Sequence, residues 1–192
     1  RFSKKIFCYY ENILNFPEKY KHKIVVIERL LRKEIYDTKH VSNNKSSIFK
    51  ILVIGGSQGA SFFDSEIKEV IKEISKKQNI SVLQQVSSEI GSREIAKTYD
   101  NLKINYELFN FDEKIYQKMK SVDLAITRCG ASALSDLIYF NIPFVAIPFP
   151  NAKDNHQYYN AKYFSDLNCC WLLEQNKIDK NKILDLLLSI II

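Results

Sequence analysis

From about Lys50 onward, short runs rich in β-branched and aromatic residues alternate with amphipathic stretches of helical length. This alternation constrains the fold more than any other feature. The strand-like runs are Lys50–Ile54, Ile80–Val86, Lys103–Phe109, Val122–Thr127, Pro143–Phe149 and Cys169–Leu173. The helical stretches are Ala60–Lys77, Gly91–Tyr99, Glu113–Lys120, Ala131–Phe140, Asn155–Asp166 and Asp179–Ile190. A strand followed by a helix, repeated, requires crossover connections, so successive strands run parallel with helices on both faces of the sheet. Ile51-Leu52-Val53-Ile54 is apolar without alternation, as suits a strand covered on both faces. The pattern predicts a Rossmann-like α/β domain with a parallel sheet of about six strands. A chain of 192 residues is long enough to bury such a core.

The first 45 residues break the pattern. Lys5–Tyr10 and Lys23–Ile27 read as extended, and Asp37–Ser47 has the polar composition of a linker. We expect residues 1–45 to be the tail of another, N-terminal domain plus a connection, with the α/β domain spanning residues 46–192. The chain starts at Arg1, which we read as a fragment boundary, and no signal peptide is expected. Its most apolar stretch, Ile183–Ile192, is interrupted by Asp185 and is shorter than the ~20 residues a bilayer span needs. It reads as a terminal amphipathic helix.

The net charge is +6, carried mainly by lysines spread along the whole chain. Spread lysine is first a solvated surface and second a face for an anionic membrane. A concentrated, arginine-rich patch of the kind nucleic-acid binders use is missing, so no nucleic-acid partner is expected. The four cysteines, Cys8, Cys129, Cys169 and Cys170, form no CxxC pair, and the three histidines are scattered. Neither set suggests a metal site, no cofactor is expected, and a reducing compartment fits best.

Three segments carry candidate chemistry. In the first, strand Lys50–Ile54 runs into Gly55-Gly56-Ser57-Gln58-Gly59-Ala60 and then into a helix. Glycines permit a tight turn and close approach of backbone to a ligand, and the helix start offers N–H groups suited to phosphate. A plain turn with Ser57 as a cap is the alternative. The sequence fits neither a Walker A loop nor GxGxxG, which argues against an NAD-type dehydrogenase. In the second, a strand ends in Arg128-Cys129-Gly130 before Ala131-Ser132-Ala133-Leu134-Ser135-Asp136. Asp136 lies one turn beyond Ser132, where it can accept hydrogen bonds from ribose hydroxyls or simply favour the helix start. In the third, Pro148-Phe149-Pro150 opens a polar loop and a helix bearing His156, Gln157 and Asn160. Amides there suit sugar hydroxyls, whereas a lone histidine at a helix start is more often a cap than a base. Each segment follows a strand's C-terminal end, where open α/β sheets bind ligands.

Taken in order, Gly55–Ala60, Arg128–Asp136, Ile142–Ala161 and Leu31–Ile35 resemble the MurG family of bacterial peptidoglycan glycosyltransferases, from about residue 20 to 175. The resemblance implies the C-terminal, donor-binding half of a GT-B fold and an inverting, metal-independent reaction. The activity implied is transfer of GlcNAc from UDP-GlcNAc to lipid I, forming lipid II at the cytoplasmic face of the inner membrane as a peripheral protein. It places Arg32 and Ser57 at the donor, with Gln58 beside them, and puts Asp112 where a backbone group reads uracil. Ala131, Ser132, Ala133, Leu134, Ser135 and Asp136 fall on the helix start that holds phosphate and ribose, and Gln157 on the GlcNAc hydroxyls. The family's proposed base belongs to the N-terminal half, so no catalytic residue is assigned here. Three departures stand out: Asp136 replaces a glutamate, Glu28-Arg29-Leu30 replace Gly-Asn-Pro, and Asn155 replaces an aspartate. Other readings are a split or decayed fragment that binds donor without turnover, and a related UDP-sugar enzyme with another acceptor.

Overall fold

The computed structural model describes residues 3–11, 13, 16–36, 47–56 and 60–192. Two short strands, β1 (Ile6–Cys8) and β2 (Ile24–Val26), pair in parallel as a separate two-stranded sheet. A short helix α1 (Lys33–Tyr36) buries Ile35. The linker stretch expected over Asp37–Ser47 lies almost wholly outside the described residues.

The remainder is a six-stranded parallel sheet of β3 (Phe49–Ile54), β4 (Ile80–Gln85), β5 (Asn105–Phe109), β6 (Leu124–Thr127), β7 (Phe144–Ala146) and β8 (Cys170–Leu172). Its spatial order is β5-β4-β3-β6-β7-β8. The alternation of sides along each strand divides the core in two. Ile51, Val53, Val82, Leu124, Ile126 and Val145 face one layer, together with Phe63, Ile67, Ile71, Ile95 and Leu187. Leu52, Ala125, Phe144 and Ala146 face the other, against Leu134, Leu137, Ala161 and Phe164. Burial on both faces explains why β3 is apolar without alternation.

The helices are α2 (Ala60–Phe62), α3 (Lys68–Ser75), α4 (Glu89–Asn101), α5 (Ile115–Met119), α6 (Ala131–Tyr139), α7 (His156–Asp166) and α8 (Lys180–Ile191). The single helix expected over Ala60–Lys77 contains a π-helical turn, Phe63–Ile67, between α2 and α3. One wide turn leaves the apolar spacing nearly unchanged, so the sequence pattern does not reveal it. It carries Asp64, whose Oδ2 accepts from the Ser87 N–H at 3.1 Å and from the Ser87 hydroxyl. Helix α4 begins before the expected Gly91 because Ser88 is its cap, its hydroxyl accepting from the Gly91 N–H at 3.1 Å. Strand β5 begins later than expected because Lys103 is left-handed, with φ 54°, and closes a turn.

The strand order creates the crevice. From β3 the chain steps outward through β4 to β5, then crosses back to place β6 on the other side of β3 and continues to β8. The connections leaving β3 and β6 therefore diverge, opening a cleft at their C-terminal ends.

Candidate active site

The glycine turn leaves β3 at this cleft. Gly56 has φ +63°, a left-handed conformation that glycine adopts without steric cost, and its N–H donates to Gln85 Oε1 at 2.9 Å. Two of the expected site residues, Ser57 and Gln58, lie outside the described residues.

Helix α6 opens on the other side of the switch point. Its first intrahelical bond runs from the Leu134 N–H to the Gly130 carbonyl at 3.1 Å. The N–H groups of Ala131, Ser132 and Ala133 thus have no helical acceptor, and Gly130 supplies no side-chain cap. A Cβ built on Gly130 would meet nothing within 4 Å, so open space lies at the positive end of this helix. Ala131 and Ser132 are exposed, whereas Leu134 is buried in the core. Ser135 is buried too, donating to the Ala131 carbonyl at 2.8 Å and accepting from Arg29 at 3.1 Å. Of the run from Ala131 to Asp136, the helix start faces the opening; the side chains of Leu134 and Ser135 do not.

Asp136 stands beside Arg32, with Oδ2 3.8 Å from a guanidinium nitrogen and a side chain 13% exposed. Arg32 also donates to the Glu113 carbonyl at 3.1 Å and lies over the Tyr116 ring. It therefore links the loop after β5 to helix α6. In that loop the Asp112 carboxylate accepts from the Lys114 N–H at 2.8 Å and pairs with Lys118 at 2.6 Å. Lys118 first, then the Lys114 N–H, holds the Asp112 carboxyl below its ordinary range.

Burial raises the Asp136 carboxyl, and the Arg32 charge offsets this only in part. A carboxyl raised in the folded state stabilises the fold below the unfolded value, ~3.9, and that contribution is lost as pH rises through the folded value. Asp136→Asn should therefore gain stability relative to the parent between pH 4 and pH 7. Urea unfolding at both pH values tests this, and an unchanged difference would contradict the assigned cause.

The third segment clamps the loops together. Gln157 Oε1 accepts from the Cys129 N–H at 3.1 Å and the Phe149 N–H at 3.0 Å. Asn160 Nδ2, one turn further along α7, donates to the Cys129 carbonyl at 3.1 Å. The Gln157 carbonyl is thereby committed, while its Nε2 has no acceptor among the described residues. His156 is exposed, with Nδ1 2.7 Å from the Lys153 carbonyl, and Asp154 and Asn155 before it are both left-handed, with φ 52°. The histidine thus closes the turn, in keeping with a cap.

Two arginines acquire roles that spacing does not reveal. Arg128, 5% exposed, donates to the carbonyls of Ile147 and Pro148 at 3.1 Å and to Gln175 Oε1 at 2.6 Å. Arg29 lies over the rings of Phe164, Tyr9 and Tyr10 at 4.6, 5.2 and 5.3 Å and binds Ser135, fastening the N-terminal segment to α6 and α7.

A Rossmann-like sheet with a glycine turn and an open helix start at its switch point is a nucleotide-binding architecture, and comparison with known proteins identifies it as one half of a GT-B fold. The chain belongs to glycosyltransferase family 28, with residues 50–191 matching the family's C-terminal domain. It is 43% identical over 190 residues to a UDP-N-acetylglucosamine–N-acetylmuramyl-(pentapeptide) pyrophosphoryl-undecaprenol N-acetylglucosamine transferase of Pelagibacter ubique, covering 99% of this chain and 53% of the relative. It is 38% identical over 200 residues to the protein of the same name from Rickettsia felis, covering 99% and 55%. The chain thus spans about half the length of the curated relatives it matches. The crystal structure of Acinetobacter baumannii MurG shares the fold, with a TM-score of 0.76 at 19% identity over 99% of this chain and 52% of that one. The resemblance drawn from the four sequence segments is borne out.

Proposed function

We propose that the chain is the donor-binding half of a transferase that passes GlcNAc from UDP-GlcNAc to lipid I, forming lipid II. The observation that carries this reading is the open start of α6 beside the glycine turn. Backbone N–H groups and a positive helix end there suit a diphosphate. In this reading Asp136 accepts from ribose, the loop at Asp112 meets the base, and Gln157 Nε2 donates to a GlcNAc hydroxyl. The acceptor hydroxyl displaces UDP at the anomeric carbon, while the α6 N–H groups and Arg32 stabilise charge on the departing diphosphate. Residues 1–45, with their own two-stranded sheet, belong in this reading to a unit distinct from the donor domain at 46–192. The acceptor and the base that deprotonates it belong to the other half, so this chain alone binds donor without turnover.

Peripheral attachment to the cytoplasmic face of the inner membrane is part of the same proposal. A net charge of +6 supports it, since an anionic leaflet attracts such a surface. Among the described residues no helix is long and apolar enough to cross a membrane.

Calorimetric titration with UDP-GlcNAc, UDP and NAD tests the reading. Saturable binding of the first two and none of NAD is expected. Gln157→Glu keeps the acceptor for Cys129 and Phe149 but removes the free donor. It should weaken UDP-GlcNAc about tenfold and leave UDP nearly unchanged, since one hydrogen bond contributes ~1 kcal/mol. A folded chain that binds neither UDP nor UDP-GlcNAc would overturn the proposal.

A further inference from the structure

Strand β4 ends in two glutamines that part company. Gln84 turns into the core, fully buried, and its Oε1 accepts from the Tyr99 hydroxyl at 2.8 Å. Gln85 serves the strand ends. Its Oε1 accepts from the Gly56 N–H at 2.9 Å, and its Nε2 donates to the Asn110 carbonyl at 3.0 Å. Because β4 lies between β3 and β5, these two bonds reach the connections that leave both neighbouring strands. One planar amide thus spans the glycine turn on one side and the loop Asn110–Asp112 on the other.

We propose that Gln85 is a positioning residue that couples the phosphate side of the nucleotide site to its base side. The inference rests on the donor-site reading above. An amide is well suited to the task because its two ends differ: Oε1 only accepts and Nε2 only donates. A shift of the loop when a base seats against it moves Asn110, turns the amide and displaces the Gly56 N–H. The Gly56 N–H is bonded to this amide, so motion of the amide is passed to the start of the glycine turn. The loop is tied on its other side by Arg32, which bonds Glu113 and faces Asp136 on α6. Base, ribose and diphosphate contacts thereby share one connected frame, and a nucleotide that fits one end prepares the other.

Coupling between two ligands is reciprocal and can be measured directly. Uridine and inorganic pyrophosphate report the two halves of the site, each titrated by NMR with and without saturating amounts of the other. In the parent chain pyrophosphate should tighten uridine by about 5–10-fold, and uridine should tighten pyrophosphate by the same factor. Gln85→Met keeps length without either bond and should bring the factor to about one. Gln85→Glu retains the acceptor for Gly56 but sets a carboxylate against the Asn110 carbonyl, and should also abolish coupling, its added negative charge weakening pyrophosphate equally with and without uridine. A purely structural role would lower the melting temperature and weaken both ligands without changing the factor. If Gln85→Met proves unfolded, Gln85→Glu carries the test. Parent binding of UDP with coupling retained in a folded variant overturns the role of Gln85 alone. A folded parent that binds neither uridine, pyrophosphate nor UDP overturns the donor reading and this inference with it.

Discussion

Replacing Arg128 with methionine is expected to lower the free energy of unfolding by about 2–4 kcal/mol. The guanidinium sits at the end of β6 and satisfies the carbonyls of Ile147 and Pro148 and the side chain of Gln175. The rings of Phe63, Phe62 and Phe149 enclose it at 4.9, 5.3 and 5.6 Å. Methionine matches the stem but removes the donor from the buried carbonyls of Ile147 and Pro148 and from the part-buried Gln175 amide, and each orphaned buried acceptor costs ~1–3 kcal/mol. Burial of the cation works the other way. It depresses the Arg128 pKa to about 10, so the side chain remains charged at neutral pH but at a desolvation cost that methionine removes. The orphaned acceptors outweigh this because they lie on segments that must meet in one place. Arg128→Lys, which keeps the charge but not the fork, should fall between. Urea unfolding monitored by circular dichroism provides the measurement, and a methionine variant within ~0.5 kcal/mol of the parent would show that the desolvation cost dominates.

Gly130→Val should do the opposite, leaving the fold nearly intact while removing donor binding. Gly130 has φ −65° and ψ 140°, which any residue adopts, and a Cβ there meets nothing within 4 Å. The cost to the helix start should be about 1 kcal/mol or less, because no side-chain cap is lost. The branched methyls would occupy the space before the N–H groups of Ala131, Ser132 and Ala133. A phosphate oxygen needs to come within ~2.9 Å of such groups, so UDP affinity should fall by about 100-fold or more. Calorimetry with UDP and a parallel thermal melt separate the two effects. Unchanged affinity would show that the diphosphate does not sit at α6.

Much of the fold was legible because each strand of the six-stranded sheet is a short run set off from the next by an amphipathic stretch. The six runs from Lys50–Ile54 to Cys169–Leu173 all became strands, and their parallel order placed all three candidate segments at the C-terminal ends of β3, β6 and β7. Element ends were less legible because single residues decide them: the Ser88 cap extends α4, and left-handed Lys103 delays β5. In the site, glycines mark the turn at Gly56 and the helix start at Gly130. The divided role of Gln157 could not be read, since the N–H groups that donate to its Oε1 come from Cys129 and Phe149, which no local pattern ties to it. The same holds for Arg29, whose place in the altered Glu28-Arg29-Leu30 stretch gave no hint that it would bind Ser135 on α6.

The position of β3 has a consequence for synthesis. It pairs with β4 on one side, through Ile51↔Val82, and with β6 on the other, through Ile51↔Leu124. As the chain emerges from the ribosome, the first edge closes some thirty residues after β3, while the second stays open for more than twice that length. During this interval Phe49–Ile54, with its run of β-branched and aromatic side chains, presents an unpaired hydrogen-bonding edge flanked by uncovered apolar faces. Nascent chains are therefore most exposed to self-association between completion of β4 and arrival of Leu124–Thr127. Closure of that late, non-local pairing is also the step expected to limit the folding rate.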